Sequence, residues 1–190
     1  MKMKKTPLLV ASVMLSAFVC CQPVSEKNSL EQQVDELYNR MSLEERVAQI
    51  YSVRPSEVME DGKVSREKMR RVLPYGVGHV CQYACTLDMD ADELRDFVRE
   101  VQAYLIEETP NGIPAIFHDE SITGIAAKGA TVYPQQLGVA CTWNPELANI
   151  KTQQTAETMR ALGCQLALSP MVDVVRNPSF NRLEESYGED

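Results

Sequence analysis

Two stretches of this chain concentrate residues that could do chemistry. The first, "FHDES" (residues 117–121), closes an apolar run on His118, Asp119 and Glu120. The second, "VDVVRNPSFNRLEESYGED" (172–190), follows another apolar run with Asp173, Arg176, Arg182 and the acids Glu184, Glu185, Glu189 and Asp190. A carboxylate accepts paired hydrogen bonds from neighbouring hydroxyls, and a guanidinium donates forked ones. Side by side they suit a ligand rich in hydroxyl groups. Each residue also has a structural reading: Asp119 as a cap for the segment after it, the glutamates as surface partners of Arg176 and Arg182, His118 as a structural histidine. The signatures G-x-S-x-G, G-x-x-x-x-G-K-[ST], G-x-G-x-x-G and H-E-x-x-H are absent, which removes the common serine-hydrolase, nucleotide and zinc-protease readings.

What could bring the two stretches together is the element rhythm around them. Ser29 with Gln32 and Ser42 with Glu45 form capping boxes. Leu30, Val34, Leu37, Met41, then Leu43, Val47 and Ile50, recur at helical spacing, giving two short helices or one kinked one. Residues 52–74 read as polar and irregular, with a helical piece at "SREKMRRVL". An alternation follows. A strand over Gly76–Tyr83 precedes a helix capped by Asp90, with Leu94, Val98, Val101 and Leu105 on one face. A strand over Ile113–Glu120 leads through a loop, "GATVYPQQLG", to a helix starting at Asn144 and Pro145. A third strand is expected over Cys164–Val174. Continuous rather than alternating hydrophobicity in these strands predicts a parallel sheet covered on both sides. The fold class is therefore α/β, a partial (β/α)8 TIM-type barrel comprising the first three βα units and then truncated, because closure takes eight. In such architectures reactive groups gather where strands end, so Glu120 and the residues after 173 would share one rim.

Composition narrows the partners. Met1–Lys5 holds three lysines, and Pro7–Val19 is free of charge, a pattern that predicts an export signal over 1–22, followed by a linker at 23–29 and barrel sequence over 30–190. Cys20 and Cys21 close that segment, so lipid acylation stands beside ordinary cleavage. Either way the mature protein is exported, to the periplasm or an outer-membrane surface. Without the leader, sixteen basic residues face twenty-seven acidic ones. So acidic a surface repels phosphate backbones and anionic headgroups, which argues against nucleic acid and basic-patch membrane binding. Cys81, Cys85, Cys141 and Cys164 permit one or two disulfides in an oxidising compartment, with no pairing favoured by spacing. His79, Cys81 and Cys85 lack the spacing of a zinc site, so no metal or other cofactor is expected.

The stretches "MSLEERVAQI", "GIPAIFHDESITG", "GATVYPQQLGVACTWNPELA" and "RALGCQLALSPMVDVVRNPSFNRLEESYGED", in this order and spacing, resemble the first half of the catalytic barrel of glycoside hydrolase family 3. The resemblance runs from about Leu30 to the last residue. It implies a barrel followed by an α/β sandwich, and removal of β-linked sugars from non-reducing ends with retention. It assigns substrate binding to two residues. Glu120, four residues before Gly124, matches a carboxylate that holds hydroxyls of the sugar being released. Arg182, in "RNPSFNR", matches an arginine that binds the same sugar. Departures from the family pattern are Glu120 where aspartate is frequent, Thr123 for histidine, Asn177 for aspartate, Phe180 for tryptophan and Asn181 for glycine. Glutamate reaches one methylene further into the pocket, which leaves glucose, xylose and other pentoses open. The family's nucleophile, an aspartate on a later strand, and its acid/base from the second domain match no residue here. The expected partner is thus a β-linked glycoside or oligosaccharide, and no catalytic residue is assigned within the chain. Two other readings stand beside this one: a non-catalytic carbohydrate-binding relative with the same barrel, and an unrelated small exported α/β domain.

Overall fold

A computed structural model describes residues 29–189. The expected export segment, all of the 23–29 linker except Ser29, and Asp190 lie outside the described residues. The chain divides into two units, Met1–Glu36 and Leu37–Asp190. What is described of the first opens α1 (Leu30–Arg40), where Ser29 N donates to Gln32 Oε1 at 2.9 Å and Gln32 N donates to Ser29 Oγ at 3.2 Å.

Helix α1 ends at Arg40, within the second unit. Ser42 and Glu45 cap α2 (Leu43–Ala48) reciprocally, so the apolar run splits into two helices rather than one kinked one. Next come β1 (Ser52–Val53), α3 (Pro55–Val58) and a hairpin of β2 (Met59–Glu60) and β3 (Lys63–Val64). Asp61 and Gly62 turn the hairpin with φ of 50° and 77°, the left-handed pair that a two-residue hairpin loop requires. Ser65 then caps α4 (Arg66–Val72), the expected helical piece. The alternation follows: β4 (His79–Cys81), α5 (Tyr83–Thr86), α6 (Ala91–Glu108), β5 (Ile116–Glu120), α7 (Gln136–Ala140), α8 (Pro145–Ala161) and β6 (Leu166–Leu168). Among the described residues beyond β6 the only regular piece is a 3-10 turn at Leu183–Glu185.

The main sheet is parallel throughout, in the order β1-β4-β5-β6. This is the expected α/β class with a parallel sheet that does not close, preceded by one strand more than the periodicity predicts. Two residues between a helix and Pro55 are too few to display a strand period. Val53, Val80 and Phe117 lie level across the sheet on its helix-facing side and are buried. There they join Leu94, Phe97, Val101 and Tyr104 of α6 and Met159 of α8 in one core. Phe117 meets the rings of Tyr83 and Phe97 edge-on, at 5.3 and 6.2 Å between centroids. Burying a side chain of that size contributes about 2–3 kcal/mol.

The opposite face is only partly covered by the described residues, where the sequence led one to expect a sheet covered on both sides. It carries His79, Cys81, Ile116, His118, Glu120, Leu166 and Leu168, with Ile116 still 43% exposed. The apolar character of both strand faces is what a barrel interior requires, where opposing strands fill the inner side. Four strands do not supply them. The expected third strand is also shorter, three residues instead of eleven, and all three are exposed. Among the described residues β6 is an edge strand with only β5 beside it. One close approach fixes the entry to β4: a Cβ on Gly78 would lie 1.8 Å from the Gln49 carbonyl oxygen, so only glycine passes beneath the end of α2. Among the described residues no helix is long and apolar enough to cross a membrane.

Candidate functional site at the carboxyl rim of the sheet

Alternation along β5 separates the three residues of the "HDE" run. Asp119 points into the helix layer, wholly buried, while His118 and Glu120 belong to the open face and are half-buried. The Asp119 carboxylate accepts from Ala84 N at 2.7 Å and from Glu120 N at 2.8 Å. It therefore caps α5, on the preceding βα unit, and not the segment after itself. Both carboxylate oxygens are thereby hydrogen-bonded, as a polar group at such depth requires.

Glu120 ends β5 at the rim. Its Oε1 accepts from Gln82 Nε2 at 3.3 Å. Gln82 follows β4 directly and holds left-handed backbone angles, φ 53° and ψ 39°. Its own N–H donates to the His118 carbonyl at 2.9 Å. Behind Glu120 the chain turns sharply. Gly124 sits at φ 90°, and a Cβ there would lie 2.6 Å from the Thr131 carbonyl oxygen. Tyr133 N donates to the Thr123 carbonyl at 2.8 Å and closes this loop. The hydroxyls of Ser121 and Ser169, just past the ends of β5 and β6, lie 3.1 Å apart and join the two exits.

His118 sits one step below the rim. Its Nε2 is 3.4 Å from Ser52 Oγ, and its ring meets His79 edge-on at 5.4 Å. Burial, and then the neighbouring His79, hold its pKa below the usual histidine value, against the opposing pull of Asp119 and Glu120. The imidazole is accordingly neutral at pH 7. Its Nδ1 is buried without a hydrogen-bond partner among the described residues.

Arg182 lies on the irregular segment after β6, exposed, and makes a forked pair with Glu185 through Nε (2.9 Å) and one terminal nitrogen. That pair raises the arginine's pKa further, and the charges of Glu120 and Asp173 add to the effect. The expected ion pairing of this acidic segment is thus present at Arg182. No ion pair joins Glu120 to Arg182 among the described residues; Glu120 ends β5, and Arg182 follows β6, the strand beside it. Arg176 goes elsewhere: with Trp143, Leu183 and Tyr187 it lines a cavity of about 710 Å³ between α7, the start of α8 and residues 175–189. Neither Glu120 nor Arg182 lines that cavity, so volume alone does not mark the site.

Among the described residues no three His, Cys, Asp or Glu side chains gather as metal ligands, and Cys81, Cys85, Cys141 and Cys164 are free thiols. Sequence reasoning missed Gln82. Its signal was its place, the last polar residue of an expected strand, where rim groups belong.

Residues 42–190 match the family described as "Glycosyl hydrolase family 3 N terminal domain". A Formosa agariphila protein that bears a beta-xylosidase name is 33% identical over 166 residues, covering 85% of this chain and 22% of its own length. The structure of a β-glucosidase from Erythrobacter marinus superposes with a TM-score of 0.73 at 30% identity, covering 84% of this chain and 21% of its own. A β-glucosidase from Listeria innocua, solved in complex with glucose, gives 0.64 at 27% identity over 85% of this chain and 22% of its own. The chain thus spans about a fifth of the length of these relatives.

Proposed function

The chain belongs to glycosyl hydrolase family 3, and on that footing we propose that it is the leading part of the catalytic barrel of an exported, exo-acting, retaining β-glycosidase. The observation that supports the reading is positional: Glu120 ends β5, and Arg182 lies on the segment that follows β6, the strand paired with β5. The terminal sugar of a β-glucoside or a related oligosaccharide sits between them. Glu120 accepts from its hydroxyls with the oxygen that Gln82 leaves open, and Arg182, held in its fork by Glu185, donates to the same ring. Hydroxyl recognition of this kind orients the anomeric carbon but does not break the bond. Retention needs two further carboxyl groups about 5–5.5 Å apart, one to attack and one to protonate the leaving oxygen and then activate water. Those groups come from sequence beyond these residues, a reading supported by relatives of which this chain covers only about a fifth.

The test extends the reading frame downstream and assays the protein against aryl β-glucosides and β-xylosides. The extended protein hydrolyses at least one of them, and Glu120→Ala and Arg182→Ala each lower kcat/KM by about 100-fold or more, as expected for charge-assisted contacts to a transition state. The 190-residue chain alone hydrolyses none. Turnover by the short chain at enzyme-like rates would remove the proposal that it is a fragment. Sugar binding by an extended protein that lacks turnover would select a non-catalytic binding relative instead. Export is tested separately, by fractionating cells that express the tagged protein, with accumulation in the cytoplasm as the contrary result.

A further inference from the structure

The turn at residues 82–84 is fastened to the end of β5 at three consecutive positions. Gln82 N donates to the His118 carbonyl at 2.9 Å, Ala84 N donates to the Asp119 carboxylate at 2.7 Å, and Gln82 Nε2 donates to the Glu120 carboxylate at 3.3 Å. Backbone, buried side chain and rim side chain are thereby held in register. The turn is also held from its own side, since the Gln82 carbonyl accepts from Thr86 Oγ1 at 2.5 Å.

At its head stands a residue that local preference does not favour. Gln82 is one of three described non-glycine residues with positive φ, together with Asp61 and Trp143. Glycine or asparagine adopts this conformation at lower cost. Non-glycine residues in the left-handed region persist where the surroundings over-determine them, and they cluster at ligand sites. What glutamine adds over glycine here is a side-chain amide of sufficient length, with its N–H on Glu120.

We infer that Gln82 is a positioning and specificity-determining residue for sugar recognition, acting through Glu120. Resting on the function proposed above, this deepens it by naming a second polar group on the same subsite. The amide fixes one oxygen of the carboxylate and leaves the other to accept from a sugar hydroxyl. Its own carbonyl oxygen is an acceptor for the adjacent hydroxyl. A neutral donor does this without adding charge beside Glu120, which a lysine or a second carboxylate would do. The ligand class that fits is a glycoside with free vicinal hydroxyls on its non-reducing ring.

The experiment is a double-mutant cycle on the extended protein, with kcat/KM for an aryl β-glycoside and the melting temperature read in parallel. Gln82→Ala lowers kcat/KM about tenfold where Glu120 is present, the lower end for a hydrogen bond to a charged group, and less than twofold in a Glu120→Ala background. Gln82→Gly loses activity by the same factor yet melts at or above the wild-type temperature, because glycine takes the left-handed conformation freely. A merely structural role would lower activity and melting temperature together. Equal losses from Gln82→Ala in both backgrounds overturn the inference, as do Gln82→Ala and Gln82→Gly variants within twofold of wild type. An extended protein with no activity on any β-glycoside would instead overturn the proposed function, and this inference with it.

Discussion

Removing the Asp119 carboxylate tests whether the rim is assembled by that one buried group. Asp119→Ala strips the acceptor from Ala84 N, at 2.7 Å, and from Glu120 N, at 2.8 Å, in a position with no exposure to solvent. A buried donor left without an acceptor costs about 1–3 kcal/mol, so two such donors cost about 3–5 kcal/mol once partial relaxation is allowed. That is a large share of the roughly 5–15 kcal/mol that holds an ordinary domain together. Asp119→Asn retains one acceptor oxygen and turns an amide N–H toward the other donor, so it forfeits about half. The assay is urea unfolding of the chain followed by far-UV circular dichroism. Trp143, the single tryptophan, is 85% exposed and would report folding poorly. With a slope of about 2 kcal/mol per M, the midpoint falls by about 2 M for Asp119→Ala and about 1 M for Asp119→Asn. Asp173→Ala is the control, since that carboxylate also follows a strand but is exposed, and such changes stay within about 0.5 kcal/mol. Amide exchange at residues 82–87 rises in step with the loss. Should Asp119→Ala unfold within about 0.3 M of wild type, the argument that this carboxylate binds β5 to α5 is wrong.

Three further outcomes follow from particular contacts. Gly78→Ala places a Cβ 1.8 Å from the Gln49 carbonyl oxygen and must push α2 off β4; it lowers stability by about 1–3 kcal/mol or more, read as a fall in melting temperature and soluble yield. His118 has its folded pKa held below the unfolded value near 6.5, so on acidification the unfolded chain takes up a proton before the folded one does. Stability is therefore unaffected by His118 above about pH 7 and falls as pH drops toward the lowered pKa, and His118→Gln flattens the urea midpoint between about pH 7 and 5; an unchanged pH slope in that variant would contradict it. Burial pushes the Cys164 thiol up to about 11, and burial with the charge of Asp119 does the same for Cys85, whereas Cys141 is exposed and free. Iodoacetamide near pH 8 therefore labels Cys141 first and Cys164 only on unfolding, as peptide mapping would read, because the thiolate is the nucleophile.

Much of the molecule could be read along the chain because it is encoded within about one helical turn. The Ser42–Glu45 box, Asp90 with Glu93 and Asn144 with Pro145 set helix starts through contacts two or three residues apart, and each start lies where the residues predict it. The apolar runs before Glu120 and Asp173 likewise announced strands, hence a parallel α/β sheet. The type and spacing of Glu120 and Arg182, within motifs that resemble glycoside hydrolase family 3, pointed to a hydroxyl-rich ligand.

What the tertiary structure alone decided depends on pairs far apart in sequence. Asp119 finds its donor at Ala84, 35 residues earlier, and nothing near Asp119 names that partner. Gln82 acquires its place only because β4 lies beside β5 in a register that sets Cys81 level with His118. The two-residue β1 exists because β4 is there to pair with it, and β6 is cut to three residues with β5 alone beside it. Periodicity and capping are properties of a single segment, so sequence determines them by itself. Register, edge position and the capture of a backbone N–H by a distant carboxylate are properties of two segments at once, and they are settled only when the elements pack.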